Sequence, residues 1–187
     1  MAQLNKTRNP ADFPVLGVLM RGPAHGYEIY PELRQRLGEV WRLRTSHIYA
    51  LLAGLEKDGL VSHERVDQET RPAKKVFSIT NKGREVFLQW VRSPVKNVRD
   101  IRLEFLTKLH FAGFDSPEAV ENLVSEQLLV CRRSAERLED IRRDCKTDTQ
   151  RAALDYRLAM LNAAQTWLNS VRHARRQFHE RSLSAAK

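Results

Sequence analysis

The chain has no apolar run long enough to cross a bilayer, which takes about 20 residues. Its apolar run Val15–Met20 is also too short for the core of a signal peptide, so the sequence predicts a cytoplasmic protein with no membrane partner. Cysteine is scarce, with only Cys131 and Cys145 in 187 residues. Both fall where residue spacing predicts a single helix. Fourteen positions at a rise of about 1.5 Å would set them roughly 21 Å apart, beyond the reach of a disulfide, which needs Cα atoms within about 7 Å. Both therefore read as buried apolar thiols. The six histidines show no metal-ligand spacing with one another or with the cysteines. There is no glycine-rich phosphate loop, no Gly-x-Ser-x-Gly elbow, no internal repeat and no low-complexity tract. Glu28 and Glu32, four apart on one helix, are compatible with metal binding or acid–base chemistry, but solvated surface acids are the simpler reading. No catalytic residue, metal or cofactor is expected.

What the chain does have is positive charge. Thirty-two Lys and Arg face 23 Asp and Glu, a net +9. This favours an anionic partner: nucleic acid, an acidic protein or an anionic surface. The 42% hydrophobic fraction suffices for a buried core.

Two textures divide the chain. Residues 10–92 hold almost all of the glycine and proline and carry short, mixed signals, whereas residues 98–180 read as long helices. Ser93-Pro94 marks the change, because proline disfavours helical geometry in the residue before it. The expected domains are residues 1–95 and 96–187.

The first region opens with the apolar segment Phe13–Met20, broken by Arg21-Gly22-Pro23. A helix follows Gly26, with Tyr30, Leu33 and Leu37 at helical spacing and Gly38 as a stop. The next helix begins at Thr45 or Ser46, both good N-caps, buries Ile48, Leu52 and Leu55, and ends at Asp58-Gly59. Strands over Leu60–Val66 and Lys74–Ile79, joined by a polar turn, make a hairpin. Thr80 or Asn81 caps a further helix carrying Val86, Phe87, Trp90 and Val91. In the second region one helix spans Arg99–Ala112. Ser116-Pro117 starts another that carries Val120, Val124, Leu128, Cys131, Ala135, Leu138 and Cys145. Thr147 with Gln150 fits a capping box for the last helix, which carries Leu154, Leu158, Leu161, Leu168, Val171 and Phe178. Trp41, Trp90 and Trp167 read as packing aromatics; Trp167, off the leucine stripe, is the best of them for lining a ligand pocket.

The order helix, helix, helix, hairpin, helix is that of a winged helix-turn-helix, whose third helix enters the major groove while the wing reaches the backbone or minor groove. With Ile48, Leu52 and Leu55 inward, Ser46, Ala50, Ala53 and Lys57 face outward, flanked by His47, Tyr49 and Gly54. Small residues let a helix backbone approach the groove floor, where alanine can touch a thymine methyl and serine or histidine can bond to base edges or phosphates. The competing reading is a solvated face that happens to be small. Arg42 and Arg44 precede this helix, and Arg71, Lys74 and Lys75 lie on or beside the wing, where phosphates would lie. Strand alternation sends Lys74 and Lys75 to opposite faces, so at most one of them points at DNA.

These residues carry a resemblance. Leu16-Gly17-Val18-Leu19 followed by Gly22-Pro23-Ala24-His25-Gly26-Tyr27-Glu28 is similar to the opening of the PadR family of transcription regulators. Trp41, Ile48-Tyr49, Leu55-Glu56 and Gly59-Leu60-Val61 resemble its recognition helix. Arg71-Pro72, Lys75-Val76-Phe77 and Thr80-Asn81-Lys82-Gly83-Arg84 resemble its wing and the helix after it. Many members have Pro-Gly-Ser before Ile-Tyr and Pro-Thr after it; here Thr45-Ser46-His47 and Ala50-Leu51 stand at those groove-facing positions, so no operator sequence carries over. The resemblance implies repression, a C-terminal helical dimerisation domain and release by a small molecule or stress signal. The amphipathic helices of the second region independently call for burial against one another or against a second chain.

The expectation is thus a mostly α protein, a winged helix-turn-helix with a two-stranded wing plus a C-terminal helical dimerisation domain. It would bind a pseudo-palindromic duplex as a homodimer through Arg42, Arg44, Thr45, Ser46, His47, Tyr49, Ala50, Ala53, Lys57, Arg71, Lys74 and Lys75, and answer to a small-molecule effector whose site the sequence leaves unknown. The alternative is a helical adaptor that uses its winged helix to contact protein.

Overall fold

The computed structural model describes the backbone of residues 8–68 and 71–185 and the side chains of residues 8–66 and 74–174. The chain divides into two compact units, Met1–Val91 and Arg92–Lys187.

The first unit runs α1 (Asp12–Leu19), β1 (Ala24–His25), α2 (Gly26–Leu37), α3 (Thr45–Lys57), β2 (Val61–Gln68), β3 (Arg71–Ile79) and α4 (Asn81–Val91). Every residue of α1 is buried, as its near-continuous apolar sequence requires. Phe13 stacks flat on Trp90 of α4, with ring centroids 4.2 Å apart. Arg8 reaches Asp12 at 3.4 Å and Asp58 at 3.0 Å, tying the start of α1 to the end of α3. Burial nevertheless pushes the Asp12 carboxyl above its ordinary range, because the loss of water outweighs the Arg8 charge.

Helix α3 buries Ile48, Leu52 and Leu55, one side of the cylinder. Gly59, in the left-handed region at φ 69°, stops it. The Gly59 N–H donates to Glu56 O at 2.9 Å and the Leu60 N–H reaches back to Leu55 O at 2.9 Å, satisfying carbonyls that the helix end would leave open. Leu60, fully buried, then turns the chain into β2. Strands β2 and β3 pair antiparallel from Val61↔Ile79 to Gln68↔Arg71, with a register shift between Val66 and Gln68. The hairpin is longer than its alternation predicts: β3 begins at Arg71 rather than Lys74.

The base of the hairpin is locked to α4. The Thr80 hydroxyl donates to Gly59 O at 2.8 Å and accepts the Gly83 N–H at 3.0 Å, capping α4 as expected. A Cβ at Gly83 would stand 2.1 Å from Leu60 O, a contact with backbone that cannot move aside, so the position requires glycine.

The sheet has three strands in the order β1-β3-β2. The sequence pattern shows only two, because β1 is the dipeptide Ala24-His25, paired to Phe77 and Val76. Two residues are too few to show alternation. The N-cap of α3 also differs from expectation. It is Arg44, extended at φ −119° and ψ 157°, with no side-chain cap; Thr45 and Ser46 already lie inside the helix.

The second unit holds a 3-10 turn (Val98–Arg102), α5 (Glu104–Ala112), α6 (Pro117–Arg143) and α7 (Asp148–Ala185). The helix expected over Arg99–Ala112 is broken at Leu103, whose φ of −110° and ψ of −61° separate the turn from α5. Ser116 caps α6 by accepting the Ala119 N–H at 3.1 Å, with Pro117 in the first turn. Helix α6 stops at Arg143, so Cys145 lies off it; Cys131 is buried but Cys145 is only half-buried. The Thr147 hydroxyl accepts the Gln150 N–H at 3.2 Å at the start of α7. Val120, Leu123, Val124, Leu128, Cys131 and Leu138 of α6 pack with Leu154, Leu161 and Leu168 of α7 in the core of this unit. Trp167, half-buried, meets Phe105 edge-on at 6.1 Å; Phe178 lies outside the described side chains.

Two polar groups fix the start of this unit. The buried Gln127 side chain accepts the Val95 N–H at 2.7 Å and donates to Val95 O at 3.1 Å. The buried Lys108 ammonium donates to Ser93 O at 2.9 Å and pairs with Glu104 at 2.8 Å. Burial pulls the Lys108 ammonium below its ordinary range even with Glu104 beside it.

Candidate nucleic-acid interface

Opposite Ile48, Leu52 and Leu55, the outward face of α3 is open along its length. Thr45, Ser46, His47, Tyr49, Ala50, Ala53, Gly54 and Lys57 are all exposed, and so are Arg42 and Arg44 just before it. A Cβ at Gly54 would meet nothing within 4 Å, so no packing within the chain calls for glycine there. Among the described residues, Arg42, Arg44 and Lys57 have no carboxylate partner. The acids of α2 are otherwise engaged. Glu28 accepts the His25 N–H at 2.8 Å, and Glu32 holds Arg21 at 2.6 Å and Arg36 at 3.6 Å. Their carboxylates build structure, which accounts for the four-residue spacing noted in the sequence.

Tyr49 leans from α3 onto the start of α2. Its ring lies so close to Gly26 that a Cβ there would be 2.7 Å from the Tyr49 Cε1, yet the residue stays 48% exposed. Next to Gly26, Tyr27 is 47% exposed and stacks on His25 with centroids 5.2 Å apart. The Lys74 ammonium sits 5.1 Å from the Tyr27 ring centroid and 3.5 Å from its hydroxyl, a cation–π arrangement. His25 Nδ1 approaches Lys75 O at 3.2 Å. A continuous chain of contacts therefore runs Tyr49–Gly26–Tyr27–Lys74, from α3 to the wing, pinned by β1.

This chain separates the two wing lysines. Lys74 joins the surface of α3 through Tyr27. Lys75 lies on the other strand face, directly opposite Arg65, and both are exposed. Like charges directly opposed across a ladder are unfavourable, and a nearby anion would relieve the pair. The backbone of Arg71 opens β3, opposite Gln68; its side chain lies outside those described. Tyr27, His25 and Arg65 border this surface and are not among the residues the sequence singles out for it. The exposed aromatic one position beyond Gly26 was visible in His25-Gly26-Tyr27, but its link to Lys74 depends on β1, which the sequence does not show.

Residues 15–89 match the family model described as the transcriptional regulator PadR-like family, the segment that forms α1 to α4. The first unit is thus similar to the PadR-like family over this segment. Among curated proteins, the chain is 27% identical over 116 residues to the negative transcriptional regulator PadR of Bacillus subtilis, a match covering 62% of this chain and 64% of that protein. It is 28% identical over 120 residues to a probable transcriptional regulator of Mycobacterium tuberculosis, covering 59% of this chain and 64% of that one. The chain thus spans less than two thirds of the length of these relatives. Among solved structures, Bacillus subtilis PadR in complex with operator DNA aligns over 89% of this chain and 99% of its own, at 22% identity and a TM-score of 0.46. A Streptococcus mutans protein aligns over 87% and 98%, at 26% identity and a TM-score of 0.44. Among the described residues, no helix is long and apolar enough to cross a membrane, and no group of His, Cys, Asp and Glu is placed to hold a metal ion.

Proposed function

We propose that this protein is a sequence-specific DNA-binding transcription regulator, working in the cytoplasm and carrying out no catalysis, whose first unit reads duplex DNA. The observation that carries this reading is the exposed face of α3. It combines small side chains at Ala50, Ala53 and Gly54 with polar ones at Thr45, Ser46, His47 and Lys57, behind two arginines with no carboxylate partner among the described residues. A surface of this kind suits close approach to a groove floor. Arg42 and Arg44 grip phosphates at the head of the helix, Tyr49 lies between the helix and Tyr27, and Lys74 continues the grip on the wing with Arg71. Lys75 and Arg65 supply charge on the other wing face. The regulator represses by occupying a promoter and is released by an effector.

The second unit dimerises. The stripes that suggested this in the sequence are largely consumed by packing between α6 and α7, so the support now comes from what that packing leaves out. Leu129 and Ile141 on α6 and Tyr156 on α7 are 42%, 51% and 66% exposed. Apolar side chains of this size on two neighbouring helices suit burial against a second copy, and a two-fold dimer presents two recognition helices to half-sites about one helical turn apart. The test is selection of bound fragments from the source genome, followed by titration of the recovered duplex with the Ala50→Glu/Ala53→Glu variant as comparison. Both changes are at exposed positions, so the fold should persist and binding should vanish. Equal binding by the variant would refute α3 as the reader, and a selection that recovers no bound duplex would favour the protein-adaptor reading.

A further inference from the structure

The first unit carries a cavity of about 330 Å³ beside the turn that leads into α3. Helix α2 gives it Tyr30, Leu33 and Arg34, a spacing that sets all three on one face. The connector gives it Trp41, Arg42 and Leu43. The Val40 and Trp41 N–H groups both donate to Leu37 O, at 2.9 and 2.7 Å, and turn the connector back against α2. Leu33 is buried and makes the floor. Tyr30, Trp41 and Leu43 are only half-buried, and Arg34 and Arg42 are exposed.

Packing alone does not account for the charge here. No carboxylate lines the cavity, and neither Arg34 nor Arg42 has a carboxylate partner among the described residues. Glu39, the nearest acid in sequence, is exposed and pairs with neither. Elsewhere on α2 a carboxylate does serve arginines, since Glu32 holds both Arg21 and Arg36. Two guanidinium groups on one small cavity repel unless an anion sits between them. Two large aromatic side chains stand half open beside them. The volume lies at the lower end of small-molecule sites, about 300–1,000 Å³, with room for one ring system and a charged group.

We propose that this cavity binds a nucleoside monophosphate, its base against Tyr30 and Trp41 and its phosphate held by Arg34 and Arg42. Bases stack on aromatic side chains whatever their sequence. A phosphate monoester carries close to two negative charges at neutral pH, which matches two guanidiniums, and its oxygens suit their forked donors. The binding stands on the cavity alone. Its consequence rests on the DNA-binding reading above: Arg42 cannot hold a nucleotide and a DNA phosphate at once, so the two ligands compete.

The probes are the four common ribonucleoside 5′-monophosphates, titrated calorimetrically into the full chain at fixed ionic strength. The matching nucleoside and ribose 5-phosphate are the half-ligand comparisons. At least one monophosphate should bind in the millimolar range or tighter, and each half-ligand at least about tenfold more weakly. Arg34→Gln, which leaves the α3 face untouched, should weaken the nucleotide at least about tenfold, and Tyr30→Leu should do the same. Arg132→Gln removes an equal charge from the exposed face of α6 and should keep wild-type affinity. Melting followed by circular dichroism shows that each variant is folded; if Tyr30→Leu does not fold, Arg34→Gln and the half-ligands decide. The site is overturned if no monophosphate binds, if ribose 5-phosphate binds as tightly as the nucleotide, if Arg34→Gln binds as the wild type does, or if Arg34→Gln and Arg132→Gln lose affinity equally. None of these readouts uses DNA, so failure here is distinguishable from failure of the DNA-binding reading. Saturating nucleotide should also weaken binding of the selected duplex; a duplex affinity unmoved by bound nucleotide would overturn the competition.

Discussion

Replacing Gly54 by alanine sets two consequences of the structure against each other. Gly54 lies inside α3 and is exposed, and a Cβ there meets nothing within 4 Å. Glycine in a helix interior costs about 0.8–1.0 kcal/mol relative to alanine. No clash offsets that gain here, so Gly54→Ala should stabilise the first unit by close to that amount. For a domain of this size, about 1 kcal/mol raises the melting temperature by roughly 4–8 °C. If α3 lies in the major groove, the same methyl group intrudes between helix and DNA, and affinity for the selected duplex should fall by roughly tenfold, which is about 1.4 kcal/mol. Melting by circular dichroism and titration of a labelled duplex by fluorescence anisotropy read the two effects separately. A lower melting temperature would refute the packing argument. A higher one with unchanged affinity would take Gly54 away from the DNA, and the openness of this flank would then be ordinary solvent exposure.

Gly83→Ala should act in the opposite direction: with Leu60 O 2.1 Å from the new Cβ, α4 must shift, costing on the order of 1–3 kcal/mol in urea unfolding, and unchanged stability would contradict the packing of α4 on the hairpin base. Ser46→Ala should leave stability within about 0.5 kcal/mol, the range of ordinary surface changes, because Arg44 holds the N-cap position, while weakening DNA binding; Tyr49→Phe should also weaken binding without unfolding the chain. Arg71→Ala should lower the slope of log affinity against log salt by about one unit and weaken operator and random duplex by similar factors; a loss confined to the operator would show groove-width or base reading instead. Ile141→Glu/Tyr156→Glu should convert a dimer at micromolar concentration into a monomer by sedimentation, and a wild-type monomer would remove the dimer from the account.

Strong periodicity and punctuation made much of the fold legible. Ile48, Leu52 and Leu55 mark one side of α3 without ambiguity, and the opposite face follows from geometry alone. Thr80 before Gly83, and Ser116 before Pro117, locate two helix starts because their hydroxyls have one good use there. What escaped was short or set by tertiary context. Strand β1 is two residues long and is recognisable only beside β3. Leu103 has no sequence mark of a helix break, yet the turn before it and α5 after it bury Ile101 and Phe105 through different backbone geometries. Cys145 fits the helical spacing of α6 but lies past its end. The Tyr27–Lys74 contact joins residues 47 apart in sequence, and no local pattern carries it.

A helix α3 that reads sequence differs measurably from one that merely lies near negative charge. The most direct measurement is the affinity of the full chain for its selected duplex and for a scrambled duplex of equal length, each followed across a range of salt concentrations. Phosphate contacts are common to both duplexes and base contacts are not. The account predicts steep salt dependence for both, and a preference for the selected duplex of about a thousandfold or more at physiological salt. That preference should collapse in the Ala50→Glu/Ala53→Glu variant. Equal affinity for the two duplexes at every salt concentration would contradict the account, leaving a basic protein that binds DNA by charge alone.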